Sequence, residues 1–320
     1  MQCFSLYNFV DVPDPAAAAE QLAAALSGEG EGGGVAPRPL EDFAGTVYLA
    51  REGLNAQFCV RPSAMAAFDA ALRAAAAGLL DGLGGFNMGD ALPAGSAAPF
   101  KRFRVVSRPQ ILTDGLLPQT GDSDCGLLDW RDAGPELSPA EWHQHLLASA
   151  SPSSSSSSSS SNNNNESPLL SKPPPVLLDC RNKYESDVGS FRGAEPLGTD
   201  TFAESWDALD RTVAGLPKDT PVYTFCTGGI RCVKVNAYLK QRHGMSNLHR
   251  LQHGIIGYEK WLNNNSNSSD FDSNELTAAS TTQSLFSGTN FIFDERNQPS
   301  SGETAPATHA ATNNEEAAAQ

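Results

Sequence analysis

A chain of 320 residues is long enough for two domains of ordinary size, each with its own core. Its 40% hydrophobic content and formal charge of −15 describe a soluble, globular, acidic body; this argues against broad nucleic-acid binding, which needs Lys and Arg on phosphates, but leaves room for a local basic patch. No apolar run approaches the roughly 18–20 residues of a membrane span, and the opening MQCFSLYNFV lacks the basic region and apolar core of a secretory signal. No membrane association and a cytoplasmic location are therefore expected, with a plastid or mitochondrion open if the true N-terminus lies upstream.

In chain order, SLYNFVDV (5–12) predicts a strand, and DPAAAAEQLAAAL a helix whose start is marked by Asp14 and Pro15. GTVYLAREGLNAQFCV (45–60) predicts paired strands, SAMAAFDAALRAAAAGL a helix with Ser63 as its N-cap, and FKRFRVVSRP (100–109) the closing strand. Over residues 1–112 this alternation predicts a small α+β domain of ferredoxin-like type, interrupted by a flexible GEGEGGG loop (28–34). A linker over 113–150 holds a short helix, LSPAEWHQHLLAS, capped by Ser138 with Pro139 at its first position. The Ser/Asn tract within 151–172 cannot build a packed core and is expected to be a disordered spacer.

A second β/α pattern occupies 173–264. VLLDC, PVYTFC (221–226) and NLHRL are short apolar strands; TFAESWDAL (201–209), IRCVKVNAYLKQRHG (230–244) and GIIGYEKWL (254–262) are helices. Such alternation predicts an α/β domain with a parallel sheet flanked by helices. Residues 265–320 are expected to be a mostly disordered tail, except that SGTNFIFDERN (287–297) is expected to dock.

The six cysteines, Cys3, Cys59, Cys125, Cys180, Cys226 and Cys232, show neither C-x-x-C pairs nor Cys/His zinc spacing. They do not read as a disulfide framework; a reducing compartment with one or two reactive thiols is expected. Of these, Cys226 stands out, at the end of a strand and the start of the CTGGIRC loop. Open α/β sheets place ligands there, glycines let the amides of Thr227, Gly228, Gly229, Ile230 and Arg231 turn inward, and a helix N-terminus and the Arg231 charge add to the positive field. All favour thiolate over thiol; the competing reading is a buried cysteine before an ordinary turn. Four residues separate Cys226 from Arg231, one fewer than cysteine phosphatases use to wrap a phosphate, so the cradle suits a persulfide better than a phosphoryl group.

Residues 176–262 resemble a rhodanese domain: LLDCRNKYESDVGSFRGA matches its opening element, CTGGIRC its active loop, and LHRLQHGIIGYEKWL its closing strand and helix. With REGLN (51–55), PFKRFRVV (99–106), LSPAEW (137–142) and DTF (200–202), the chain is similar to the tRNA uridine hydroxylase family, whose N-terminal domain is ferredoxin-like or acylphosphatase-like. The resemblance implies 5-hydroxylation of the tRNA wobble uridine, with molecular oxygen as co-substrate, tRNA as partner and Cys226 as the essential cysteine. Attack of its thiolate or persulfide on C6 of the uracil ring is one hypothesis for activating C5. This chain departs from the family pattern at His253 and Ala56, which stand where glycines are usual, and at Asn290, where a cysteine is common.

Other residues carry two readings each. Asp179 and Arg181 either organise loops beside the site or form a structural salt bridge, and Glu185 is similar to them or simply exposed. Cys232 is either a resolving thiol for a Cys226 persulfide or a small buried residue. Lys101, Arg102, Arg104 and Arg108, interleaved with Phe100 and Phe103, form either an RNA-contacting strand or a solvated strand face. Lys234 and Lys240 extend the positive field around Cys226 or are ordinary surface lysines. His143, His145, His249 and His253 show no metal spacing with a third ligand, and no cofactor is identified.

The leading reading is a two-domain tRNA uridine hydroxylase. The alternatives are a sulfurtransferase passing sulfane sulfur through a Cys226 persulfide, with a sulfur donor or small thiol as partner, and a non-catalytic rhodanese scaffold. The sequence leaves the oligomeric state open.

Overall fold

A computed structural model describes residues 1–27, 41–76, 78–81, 83, 86–92, 100–116, 128–150, 174–266 and 283–291. The glycine-rich loop, Cys125, the Ser/Asn spacer and the tail beyond 291 lie outside the described residues.

The first unit runs β1 (Gln2–Phe9), α1 (Pro15–Leu26), β2 (Phe43–Ala50), β3 (Gly53–Val60), α2 (Met65–Ala75), β4 (Asn87–Ala91) and β5 (Phe103–Ser107). Its sheet order is β4-β1-β3-β2-β5, antiparallel throughout except for the parallel β2–β5 pair. This is the ferredoxin-like arrangement with one strand added. The strand that completes it is β4, beside β1; the predicted closing strand is instead the extra edge strand β5. Period-two alternation sends Phe4, Leu6, Val47, Leu49, Leu54, Phe58, Phe103 and Val105 toward the helices, where they meet Leu22, Leu26, Phe68 and Leu72. The opposite face carries Tyr7, Thr46, Tyr48, Asn55 and Arg104.

Asp14 caps α1 as expected, its Oδ1 accepting from the N–H groups of Ala16 and Ala17 at 3.1 and 3.0 Å. Ser63 does not cap α2, because a single 3-10 turn over Pro62–Ala64 displaces the start to Met65. The reading of the cysteines as unpaired is corrected at one pair. The β1–β3 register sets Cys3 opposite Cys59 on the face away from the helices, and the two form a disulfide among Leu92, Met1 and Phe100. A sequence separation of 56 hides that register.

The second unit is a parallel sheet in the order β6-β11-β10-β7-β9, built from β6 (Glu136–Leu137), β7 (Val176–Asp179), β9 (Glu195–Pro196), β10 (Val222–Phe225) and β11 (Leu248–Leu251). On one face α5 (Ser205–Val213) and α6 (Ile230–His243) bury Leu209, Val213, Val235 and Leu239. On the other, α3 (Pro139–Ala150) and α7 (Gly254–Ser266) bury Trp142, Ile255, Tyr258 and Leu262. The helix assigned to the linker therefore belongs to this unit, together with the edge strand β6. Its cap is the expected one: Ser138 Oγ accepts from the Glu141 N–H, and Glu141 Oε2 accepts from the Ser138 N–H.

The tail segment docks. β12 (Phe286–Gly288) pairs antiparallel with β8 (Gly189–Phe191), and Asn290 Nδ2 donates to Glu259 Oε2 at 3.3 Å. No helix among the described residues is long and apolar enough to cross a membrane.

Candidate active site

The site grows from the middle of the parallel sheet. Strand β10 lies between β7 and β11, so the chain leaving it at Cys226 is enclosed on both sides. Gly229, at φ +100°, makes the left-handed turn that starts α6 and directs its N–H to Cys226 Sγ at 3.1 Å. The first turn of α7 closes the loop: the N–H groups of Ile255 and Ile256 donate to the carbonyls of Cys226 and Thr227, at 3.0 and 3.1 Å. A Cβ on Gly254 would lie 2.4 Å from the Cys226 carbonyl oxygen, so only glycine lets the turn approach this closely. Beside it, His253 holds φ +56°, the one left-handed non-glycine residue among those described.

Arg231 does not face an open anion cradle. Its guanidinium grips Glu185 through Nη1–Oε2 at 2.6 Å and Nη2–Oε1 at 2.7 Å, and Nη2 also donates to Thr227 Oγ1 at 3.3 Å. Glu185 accepts two further bonds, from Thr227 Oγ1 at 2.8 Å and from the Asn182 N–H at 3.1 Å, the latter as part of the capping box of the short helix α4 (Lys183–Ser186). The reading of Glu185 as simply exposed is thus corrected: it has no exposed surface and organises the loop. Burial works against the Arg231 charge, but the Glu185 carboxylate more than offsets it and raises its pKa.

Cys226 has no exposed surface, and Cys180 and Cys232 are buried in the same cluster. Burial pushes the Cys226 thiol well above 9.0, and the hydrogen-bonded Cys232 thiol pushes it further, against the Arg231 charge and amide. Burial and the neighbouring Cys180 raise Cys232 likewise. The expected thiolate is therefore corrected to a thiol. The amide and helix terminus are where the sequence places them, but Arg231 is already neutralised by Glu185, and removal from water outweighs the rest.

The first unit supplies the cover. Asn87 Nδ2 donates to the Gly228 carbonyl at 3.0 Å, and the Tyr7 hydroxyl abuts Gly229, where a Cβ would come within 2.6 Å of it. Lys234, read as a field-extending or surface lysine, is buried and spans the units: its Nζ meets Asp114 Oδ2 at 2.5 Å and Glu52 Oε1 at 2.9 Å. Glu52 and Asn55 of REGLN also hold Ile111, through its N–H at 2.9 Å and its carbonyl at 3.1 Å. That motif is thus the hairpin turn through which the first unit grips the connection and α6. Lys240 is half-exposed and paired with Asp132.

Asp179 and Arg181 form a fully buried pair, Nε–Oδ1 2.8 Å and Nη2–Oδ2 2.6 Å. Ser190 Oγ donates to Asp179, and the guanidinium lies over the rings of Phe225 and Phe286, 5.9 and 5.7 Å from their centroids. They tie β7 to β8 and the docked tail, with Glu185 rather than this pair on the cysteine loop.

Of the basic strand, Lys101 and Arg102 are exposed; Arg104 donates to Thr46 Oγ1 at 3.2 Å and Tyr48 OH at 3.3 Å, and Arg108 lies 3.9 Å from the centroid of the Tyr48 ring. The interleaved aromatics are not available for stacking: Phe103 packs on the helix-side core and Phe100 beside the disulfide. Sequence reasoning also missed Asn87, Tyr7, Asp114 and Glu52 as site neighbours. Only the REGLN motif signalled any of them.

Residues 39–111 match the UPF0176 acylphosphatase like domain, and residues 166–264 match the Rhodanese-like domain. A Jannaschia sp. (strain CCS1) protein named tRNA uridine(34) hydroxylase is 30% identical over 295 residues, 91% of this chain and 73% of that one. A Legionella pneumophila (strain Corby) protein of the same name is 29% identical over 252 residues, 79% of this chain and 76% of its own. Among solved structures, a rhodanese-like domain from Anabaena sp. is 14% identical with a TM-score of 0.28, covering 45% of this chain and 93% of that domain. With both domain types in order and similarity running the length of both units, the chain belongs to the tRNA uridine(34) hydroxylase family.

Proposed function

We propose that this protein hydroxylates C5 of the wobble uridine of tRNA, using molecular oxygen and depending on Cys226. The observation that carries this reading is the junction itself: the cysteine loop is covered by the first unit, through Asn87 on Gly228 and Tyr7 on Gly229, so both units build one site. A sulfurtransferase loop has no need of that partner. The relatives that carry the hydroxylase name match across both units.

Replacing C5–H by C5–OH with one O2 leaves the second oxygen atom to become water, which takes two electrons and two protons. Oxidation of the adjacent Cys226 and Cys232 thiols to a disulfide releases both, so that ring C–H, O2 and two thiols give C–OH, water and one disulfide. Cys232 is in this reading the resolving thiol, and an external reductant restores the pair. On the first unit, Arg104 shares the sheet face away from the helices with Tyr7 three strands away, about 14 Å at the usual strand spacing. Phosphates along the basic edge Lys101, Arg102, Arg104 and Arg108 would then lie within an anticodon loop's reach of the junction.

Mass spectrometry of tRNA nucleosides tests the reading. Cells lacking the gene should lose 5-hydroxyuridine derivatives, and Cys226→Ser should not restore them. Unchanged tRNA modification, with Cys226-dependent sulfur transfer from thiosulfate, would replace this reading with the sulfurtransferase.

A further inference from the structure

The docked tail segment is held at its start by one hydroxyl. Tyr258 of α7 has no exposed surface, and its Oη meets two groups: it accepts from the Leu285 N–H at 3.1 Å and lies 2.7 Å from Nδ1 of His143 on α3. Leu285 begins the pairing with β8, since its carbonyl accepts from the Arg192 N–H at 3.1 Å. Phe286 follows and packs on Phe191, ring centroids 5.4 Å apart, and the Thr289 N–H on the Val188 carbonyl at 2.9 Å ties the far end.

The proton on that hydroxyl has one place to go. An amide N–H can only donate, so Oη accepts from Leu285 and the phenol proton is left for His143. Nδ1 is then the bare nitrogen, which makes His143 the neutral tautomer carrying its proton on Nε2. The opposite tautomer would set two donors on Oη and strand the phenol proton in a buried site. Any proton that His143 takes up therefore enters at Nδ1, the atom the anchor uses. No neighbouring charge favours that uptake. On α3, Glu141 is bonded to Ser138 and His145 to Tyr223; on α7, Glu259 reaches Asn290, and Lys260 would oppose a second cation. The docked residues 283–291 carry no charge. Burial alone acts on His143, and it lowers the pKa.

From this geometry we infer that His143 and Tyr258 form an acid-released latch, in which a proton on Nδ1 displaces the Leu285 N–H from Tyr258 Oη and frees the segment from β8. Once Leu285 has left, Oη accepts from Nδ1–H and turns its own proton to the water that replaces the segment. Docking is thus complete above the ordinary imidazole value of about 6.5 and weakens as pH falls through it, because the undocked chain takes the proton first. Strand β8 follows α4, the helix that carries Glu185, so the latch sits beside the support of the cysteine loop. The inference goes beyond the hydroxylase reading and does not depend on it.

The test is amide exchange in the full chain at about pH 7.5 and about pH 5.5, each rate expressed as protection against an unstructured peptide at the same pH. Protection over 284–290 should fall about tenfold between the two, the factor set by an ordinary imidazole that is free to titrate only in the undocked chain, while β10 keeps its protection. His143→Gln offers Tyr258 an acceptor that does not titrate, so there the segment should be protected equally at both. A tenfold fall in His143→Gln, or no fall in the native chain, would overturn the latch. Should that variant fail to fold, Tyr258→Phe decides: with the shared hydroxyl gone, protection should already be low at the higher pH and change little at the lower, and a tenfold fall there would overturn the latch as well.

Discussion

Arg231 and Lys234 are buried cations one turn apart on the same helix, yet they do different work. Arg231 turns back into its own unit, where Glu185 meets it with both carboxylate oxygens and fixes the cysteine loop. Lys234 crosses to Asp114 in the connection and to Glu52 in the first unit. A guanidinium forks onto a planar carboxylate, whereas an ammonium can serve several acceptors around one point, and each is used accordingly. One ion pair shapes the loop; the other sets what lies on top of it.

The largest effect should come from Arg231→Ala. It strands a fully buried carboxylate and should cost about 3–5 kcal/mol in urea unfolding, with loss of hydroxylation. Arg231→Lys should recover part of the stability and little activity, because the fork is gone. Lys234→Met should cost about 3 kcal/mol, at the lower end of that range because Glu52 keeps some contact with water. Its signature differs: amide exchange should accelerate around Ile111 and Asp114, while the Cys226 loop keeps its bond to Glu185. Equal acceleration in both places would dissolve the distinction between the two cations.

Smaller effects sharpen the picture. The Cys226 and Cys232 thiols are raised in the folded chain, so their contribution to stability is complete below 9.0 and falls as pH rises beyond it, where the unfolded chain ionises first. Urea midpoints should decline above that pH, and less steeply in Cys226→Ser. Arg104→Ala should weaken tRNA binding and lower the salt slope by about 1, as for one phosphate contact. The smallest change is expected from His253→Gly, which relieves a left-handed backbone and should stabilise the fold by about 1 kcal/mol.

Much of the scaffold could be read from local patterns, since a cap or a period needs only neighbours in sequence. Asp14, Ser138 and the left-handed Gly244 end or begin helices where their chemistry predicts. The cysteine loop was equally visible, because a strand, two glycines and a helix start are contiguous. What escaped depends on contacts distant in sequence. Lys234 looks like any helical lysine until Glu52 and Asp114 arrive from 182 and 120 residues away. Strand β4, NMGDA, is short and polar and carries a weaker strand signal than the more apolar 103–107. The protonation state of Cys226 is hidden from the sequence for the same reason: the groups favouring the thiolate are local, while the burial that overrides them comes from packing, and Glu185, which neutralises Arg231, lies 46 residues away.

The central claim is that Cys226 is a thiol enclosed within its own unit and covered by the first. The most direct measurement is the rate of its alkylation in the native chain as a function of pH, read by mass spectrometry of the Cys226 peptide and compared with the urea-unfolded chain. The account predicts slow labelling with no inflection below 9, and faster labelling once Lys234→Met loosens the cover. Rapid labelling with an inflection near neutrality would contradict it.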